Sequence, residues 1–185
     1  MPSYESARIA ERVRSSVPKC GSTHVVTIDG PAGSGKSTLA SALSHELDDC
    51  PIVHMDDLYE GWTQDLNSDL AKRIRARILE PISQGVNAQI LKYDWIAEKF
   101  GETVTVPCSN FLILEGVGSG NSLIRNYVSL AVWIESEPEL LVERVVERDG
   151  EQLRDDIVRW QNREAEYFNK HEVKASADVH LRGDG

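Results

Sequence analysis

Gly30-Pro31-Ala32-Gly33-Ser34-Gly35-Lys36-Ser37, followed by Thr38, meets the pattern G-x-x-x-x-G-K-[ST] at every fixed position. It lies between the β-branched run Val25-Val26-Thr27-Ile28 and a helix-like run that begins near Lys36. Strand before and helix after are the contexts that give this pattern meaning. The glycines permit backbone angles closed to other residues, so successive N–H groups can turn inward around a phosphate while the next helix presents its positive dipole end. In such a loop Lys36 reaches the β- and γ-phosphates and the Ser37 hydroxyl holds Mg²⁺. Residues 30–38 are therefore expected to bind the phosphates of a nucleoside triphosphate.

The rest of the chain alternates strand and helix around that loop. His24 to Ile28 reads as a strand buried on both faces. Ser37 to Leu47 reads as a helix, with Leu39, Leu43 and Leu47 facing the sheet. Pro51 to Met55 is a second strand ending on Asp56-Asp57, and Leu66, Leu70, Ile74 and Ile78 mark a long amphipathic helix closed by Pro81 and Gly85. Residues 89–93 and 103–106 read as short strands around a helical or irregular Tyr93-Asp94-Trp95 insert. Phe111 to Leu114 is a buried strand ending on Glu115, with a glycine-rich turn after it. Ser129 to Ile134 is another strand, a helix starts at Pro138, a second helical stripe follows Gly150, and Asp178 to Leu181 is the last strand. That alternation predicts right-handed crossovers and a parallel sheet flanked by helices, an α/β three-layer P-loop fold.

With 185 residues and 41% hydrophobic content the chain can build one sizeable core, so a single domain over 1–185 is expected. Residues 1–19 would form a helical extension, and about 144–171 a short lid with the C-terminal helix. A net charge of −10 disfavours a polynucleotide partner, because holding a nucleic-acid backbone needs many cations. No run is apolar enough to span a bilayer, and Cys20, Cys50 and Cys108 lack metal-ligand spacing, so a cytoplasmic protein with reduced thiols and no membrane partner is expected.

Phosphoryl transfer needs a phosphate cradle, Mg²⁺, cations on the transferred group and a group that takes the acceptor's proton. Asp56 and Glu115 both end strands at the carboxyl edge of the sheet, where open α/β folds bind ligands. Either could serve as base or hold metal-bound water. Arg144 and Arg148, four apart, share one helix face and could meet phosphates or pair with Glu143, Glu147 or Glu151. Trp62 adds an aromatic near the acceptor side, with core packing as its alternative.

Ile28 to Thr38, Val53-His-Met-Asp-Asp-Leu-Tyr59, Tyr93-Asp-Trp95, Val104-Thr-Val106, Leu112-Ile-Leu-Glu-Gly116, Glu147-Arg-Asp149 and Ala177-Asp-Val179 occur in the order found in the uridine kinase-like family of P-loop kinases, which the chain resembles over residues 24–181. The resemblance implies a five-stranded parallel sheet and transfer of the γ-phosphate of ATP to a nucleoside 5′-hydroxyl. It implies Asp56 as the base and Ser37 and Glu115, with Asp56, around Mg²⁺. It also implies Tyr59 and Tyr93 on the acceptor, and Arg144 and Arg148 as lid arginines with Lys36 on the phosphates. Two departures stand out. Ile96-Ala97-Glu98 follow Tyr93-Asp-Trp95 where relatives that read a pyrimidine often carry a histidine, and Gly150 to Arg154 replaces an arginine-glycine lid element, with either Arg154 or another residue of the chain as the substitute cation. The alternatives are a cytidylate-type nucleoside monophosphate kinase and a nucleotide-binding switch without transfer.

Overall fold

The computed structural model describes residues 2–61, 66 and 68–183. Among the described residues seven strands form: β1 (His24–Asp29), β2 (Ile52–His54), β3 (Ala88–Asp94), β4 (Lys99–Val106), β5 (Phe111–Glu115), β6 (Val128–Glu135) and β7 (Val179–Arg182). Five make one sheet in the order β2-β5-β1-β6-β7, every neighbouring pair parallel. The helices are α1 (Pro2–Ser15), α2 (Lys36–Glu46), α3 (Ser68–Ile74), α4 (Glu80–Ser83), α5 (Pro138–Asp149) and α6 (Arg154–Lys170).

Side chains alternate across a strand, so each central strand feeds two cores. Val26, Ile28 and Ile113 pack with Ile9 and Val13 of α1 and with Leu39 and Leu43 of α2 on one face. Val25, Leu112 and Leu114 pack with Leu70, Ile74, Ile78 and Ile82 on the other, and α6 adds Trp160 and Tyr167 there. A smaller cluster of Val145, Val146 and Ile157 sets α5 and α6 against Ala32 of the glycine-rich loop.

Four local readings change. The long amphipathic helix is not one regular α-helix: a π-helical turn, Arg75–Leu79, separates α3 from α4. Pro81 sits in the first turn of α4 instead of closing the helix. A first turn needs no N–H from it, and a wider turn before it leaves space for the ring. Residues 88–106 form an antiparallel hairpin of β3 and β4, so Tyr93 and Asp94 belong to a strand and not to a helical or irregular insert. Asp94 closes its turn by accepting hydrogen bonds from the backbone N–H groups of Ile96 and Ala97, both at 2.9 Å. Beyond β2 the chain tightens into a single 3₁₀ turn, Met55–Asp57, which carries Asp56 off the strand end.

Candidate active site

Connections from β1 lead to β2 on one side of the sheet, whereas β5 leads to β6 on the other, so the crevice at the carboxyl ends of β1 and β5 is where the strand order reverses. Ligands of open α/β sheets bind at such a point. Residues 30–37 wrap it. A Cβ on Gly30 (φ +148°) would stand 1.9 Å from the Ile134 carbonyl oxygen, and one on Gly33 (φ +82°) 2.6 Å from that of Leu141. Only glycine lets the loop pass so close to β6 and α5. Gly35, also at positive φ, caps α2. Lys36 folds back over the loop, its Nζ donating to the carbonyls of Gly30 and Pro31 at 2.8 Å each.

Two carboxyl-bearing residues, Glu115 and Asp56, converge from neighbouring elements. Glu115, buried at the end of β5, accepts from Ser37 Oγ at 3.1 Å through one oxygen, and its other oxygen lies 2.6 Å from His54 Nδ1. That bond raises the His54 pKa above its ordinary value, with burial opposing and the charges of Glu115, Asp57 and Asp56 reinforcing. Asp56 opens onto the cleft. The protein walls around it withdraw water from the carboxyl and raise its pKa, Glu115 adds to the rise, and Lys36, Arg148 and His54 counter it. Asp57 turns away into an ion pair with Lys92 at 2.9 Å.

Asp29 ends β1 and is buried. Its carboxylate oxygens accept from the N–H groups of Gly30 at 2.7 Å, Gly118 at 3.2 Å and Gly120 at 2.8 Å, and from the Tyr167 hydroxyl at 3.0 Å. One side chain thus ties the entry of the loop to the glycine-rich turn after β5 and to α6. Burial pushes its pKa up to about 6 against the downward pull of those bonds and of Lys36. Glu164 of α6, 1% exposed, accepts from the Ala32 N–H at 3.1 and 3.3 Å, and burial pushes its pKa up to about 7.

Two adjoining hollows share Ala32, Asp56, Arg148 and Trp160. The one over the loop, about 310 Å³, also takes in Lys36, Ser37, Thr38, Glu115 and Arg144. The other, about 500 Å³, is walled by Trp95, Tyr59, Val145, Leu153 and Ile157. A third hollow of about 270 Å³, between α3 and the hairpin, carries Arg73 and Arg77 but no carboxylate, so it lacks the groups that transfer chemistry needs.

The residues singled out in the sequence are therefore largely gathered. Arg144 reaches the Gly33 carbonyl at 3.3 Å and Ser136 Oγ at 3.0 Å, which braces the loop from α5. Arg148 lines both hollows while forked onto Asp149 at 2.7 Å through each of two nitrogens. Tyr59 lines the larger hollow, donates its hydroxyl to the Val117 carbonyl and tilts against Trp160 at 5.1 Å between ring centroids. Tyr93 stands apart: it packs edge-on against Trp95 and Phe100, and Trp95 is the member of that motif that walls the hollow. Arg154 points away, paired with Glu143 and Glu151, and supplies no cation to the cleft. Trp62 lies outside the described residues. His54, Asp29, Trp160 and Glu164 are additions that the motif reading passes over.

Comparison with known proteins agrees with this architecture. A family model described as an AAA domain matches residues 26–169. A possible uridine kinase from Bacillus stearothermophilus superposes with a TM-score of 0.66 at 20% identity, covering 98% of this chain and 100% of that one. A candidate fructose transport system kinase from Silicibacter sp. TM1040 superposes with a TM-score of 0.56 at 20% identity, covering 95% and 98%. No curated protein matches the sequence. The five-stranded parallel sheet flanked by helices is thus the P-loop kinase fold. Among the described residues no helix is long and apolar enough to cross a membrane.

Proposed function

Since the chain belongs to that AAA domain family and has the fold of P-loop kinases, we propose that it transfers the γ-phosphate of ATP to a hydroxyl of a small molecule, namely the 5′-hydroxyl of a nucleoside. One observation carries this reading: Asp56 stands on the shared border of a hollow lined by the phosphate loop and a larger one walled by Trp95, Tyr59 and Trp160. A nucleotide in the first and a flat, largely apolar alcohol in the second would face each other across that carboxylate.

In this reading Asp56 accepts the proton of the acceptor hydroxyl as its oxygen bonds to the γ-phosphorus. The bond from that phosphorus to the β–γ bridging oxygen breaks, and ADP leaves. A carboxyl whose pKa is raised toward the working pH is a better base than a fully exposed one. Lys36 leaves the carbonyls of Gly30 and Pro31 for the phosphates, since an ammonium gains more from a phosphate than from two neutral acceptors. Arg148 closes on the transferred group from the lid side, and Arg144 keeps the loop in place.

The donors suit Mg²⁺. Ser37 Oγ and Glu115 Oε1 are a hydroxyl and a carboxylate 3.1 Å apart at the loop-to-helix junction, with Asp56 across the same hollow. Mg²⁺ takes one or two protein oxygens beside nucleotide phosphates and water, so a dedicated ligand cage is not required. When bound, the ion neutralises charge on the β- and γ-phosphates. The neighbouring His54 holds Glu115 in orientation through its second oxygen.

A coupled ADP-release screen over nucleosides, nucleoside monophosphates and sugars tests the assignment. Nucleoside-dependent ADP release is the expected result. A response to monophosphates alone would refute the neutral-alcohol acceptor, and tight ATP binding without any transfer would make the chain a nucleotide-binding switch.

A further inference from the structure

Ile157, Trp160, Glu164 and Tyr167 follow one another at spacings of three, four and three, so all lie on one face of α6, and all are buried. Three of them are the apolar or aromatic residues such a stripe calls for. The fourth is a carboxylic acid with 1% of its surface exposed. Burying a carboxyl is costly unless its oxygens are satisfied, and here both face donors. The backbone N–H of Ala32 points at the pair of oxygens at 3.1 and 3.3 Å, and the side chain of Trp160, one turn back on the same helix, hydrogen-bonds to the same carboxyl.

These two donors belong to different elements, the loop and α6, and both residues stand on the border that the two hollows share. Ala32 is part of the phosphate loop, whose following residues wrap the nucleotide's phosphates. The Trp160 ring is a wall of the larger hollow and touches Tyr59, the neighbouring wall, at 5.1 Å. Any ligand that presses on that ring changes the indole's bond to Glu164, and any movement of the loop at Ala32 changes the same carboxyl from the other side. The arrangement is stiff: Arg144 braces the loop at Gly33, and Tyr167, one turn further along α6, is fixed to Asp29 at the loop's start.

We propose that Glu164 is a positioning residue that couples the two halves of the site, holding the phosphate loop through the Ala32 N–H and the acceptor wall through Trp160, so that occupancy of one half is felt in the other. It touches neither phosphate nor acceptor, and so acts through its neighbours. This inference rests on the nucleotide-binding reading of the loop given above.

The test uses the full chain, Mg·ADP as the probe, and two substitutions. Glu164→Gln keeps the size of the side chain but turns an NH₂ toward one of the two donors, and Trp160→Phe keeps a ring in the wall while removing the indole N–H. Mg·ADP affinity is measured by calorimetry, and the Trp160 indole N–H resonance, assigned by its loss in Trp160→Phe, is followed as Mg·ADP is added. Loss of one hydrogen bond to a charged group corresponds to about a tenfold change in affinity. Glu164→Gln is therefore expected to weaken Mg·ADP by about tenfold and to cut the nucleotide-induced shift of that resonance by more than half. Adding Trp160→Phe should weaken binding no further, because the two residues act as one unit. A role confined to packing would lower the unfolding temperature yet leave the resonance shift intact. Unchanged affinity in Glu164→Gln, an unchanged shift, or simple additivity of the two substitutions would overturn the coupling. Should Glu164→Gln fail to fold, Trp160→Phe alone decides, since wild-type affinity in that variant would equally overturn it. A wild-type chain that takes up no Mg·ADP would instead refute the nucleotide-binding reading itself, and the coupling with it.

Discussion

Glu164→Gln also makes a stability prediction that can be worked from the fold alone. Burial pushes the Glu164 carboxyl from an ordinary 4.5 up to about 7, although Lys36, the Ala32 N–H and Trp160 all pull it down. In the unfolded chain the same group titrates at its ordinary value. Between those two pKa values the native state therefore binds more protons than the unfolded state, and stability must fall as pH rises through this window. Below the ordinary value both states are protonated and nothing is lost, while above about pH 7 the loss is complete. A difference of two to three pKa steps at 1.36 kcal/mol each comes to about 3 kcal/mol, most of it falling between about pH 5 and pH 8. Glutamine does not titrate, so the variant lacks this contribution while keeping every other group's. Urea unfolding of both proteins at several pH values should show the free-energy difference moving in favour of the variant by about 2–3 kcal/mol from pH 5 to pH 8. Taking the difference removes the matching contribution of Asp29, which has the same sign. Parallel stability curves for the two proteins would refute the claim that Glu164 is held in a desolvated site.

Four further outcomes follow from the site. Asp56→Asn should retain Mg·ADP affinity and lose about 10²–10⁴-fold in kcat, the usual range for a general base, and a variant with near-normal turnover would remove Asp56 from that role. Lys36→Ala should abolish transfer while circular dichroism and unfolding temperature stay close to wild type, and an unfolded variant would make Lys36 structural. Gly30→Ala should destabilise the fold by about 2 kcal/mol or more, because its Cβ would collide with the Ile134 carbonyl at an angle unfavourable for alanine, and denaturant titration reads this directly. Trp95→Ala should raise the acceptor's KM by about three- to tenfold, the equivalent of one aromatic contact, with the KM for ATP unchanged in steady-state kinetics.

Most of the sheet was legible because both-sides-buried strands have few readings. Val25 to Ile28 and Phe111 to Leu114 are unbroken apolar or β-branched runs, and each ends on a carboxylate at the ligand edge. The phosphate loop was equally plain, since its glycines sit where β6 and α5 approach the backbone. What escaped depends on contacts distant in the chain. Nothing local to Tyr93 or Trp95 says which ring will face the hollow; the hairpin settles it by turning Tyr93 onto Phe100 of the opposite strand. Arg144, Arg148 and Arg154 are alike in sequence, and only the packing of α5 on the loop separates the brace from the arginine bound to surface acids. Glu164 did leave a trace: an acid at a stripe position between Trp160 and Tyr167 breaks the apolar pattern, and a broken pattern in a buried face asks for a partner.

The raised carboxyl pKa values also bear on how a chain of net charge −10 can offer a site to a triphosphate. Lys36, Arg144 and Arg148 are the cations around the loop, and Asp29, Asp56, Glu115 and Glu164 are the acids. With these seven groups ionised, three positive charges would face four negative ones, and only the His54 imidazole on Glu115 could add a fourth cation. Desolvation changes that sum. Asp29 at about 6 and Glu164 at about 7 are the two acids furthest from ordinary carboxylate behaviour, and both are buried behind the loop, away from its ligand side. Each hydrogen bond they accept from a loop N–H survives partial protonation, because a carboxyl keeps acceptor lone pairs when it carries a proton. Their mechanical work of tying β1, the loop and α6 together thus does not require a full negative charge. Arriving phosphates favour the protonated forms still further, by the same like-charge repulsion that raises one carboxyl beside another. In the proposed reaction the acids that line the hollow over the loop, Asp56 and Glu115, are the ones that would use their charge, on the acceptor's proton and on Mg²⁺.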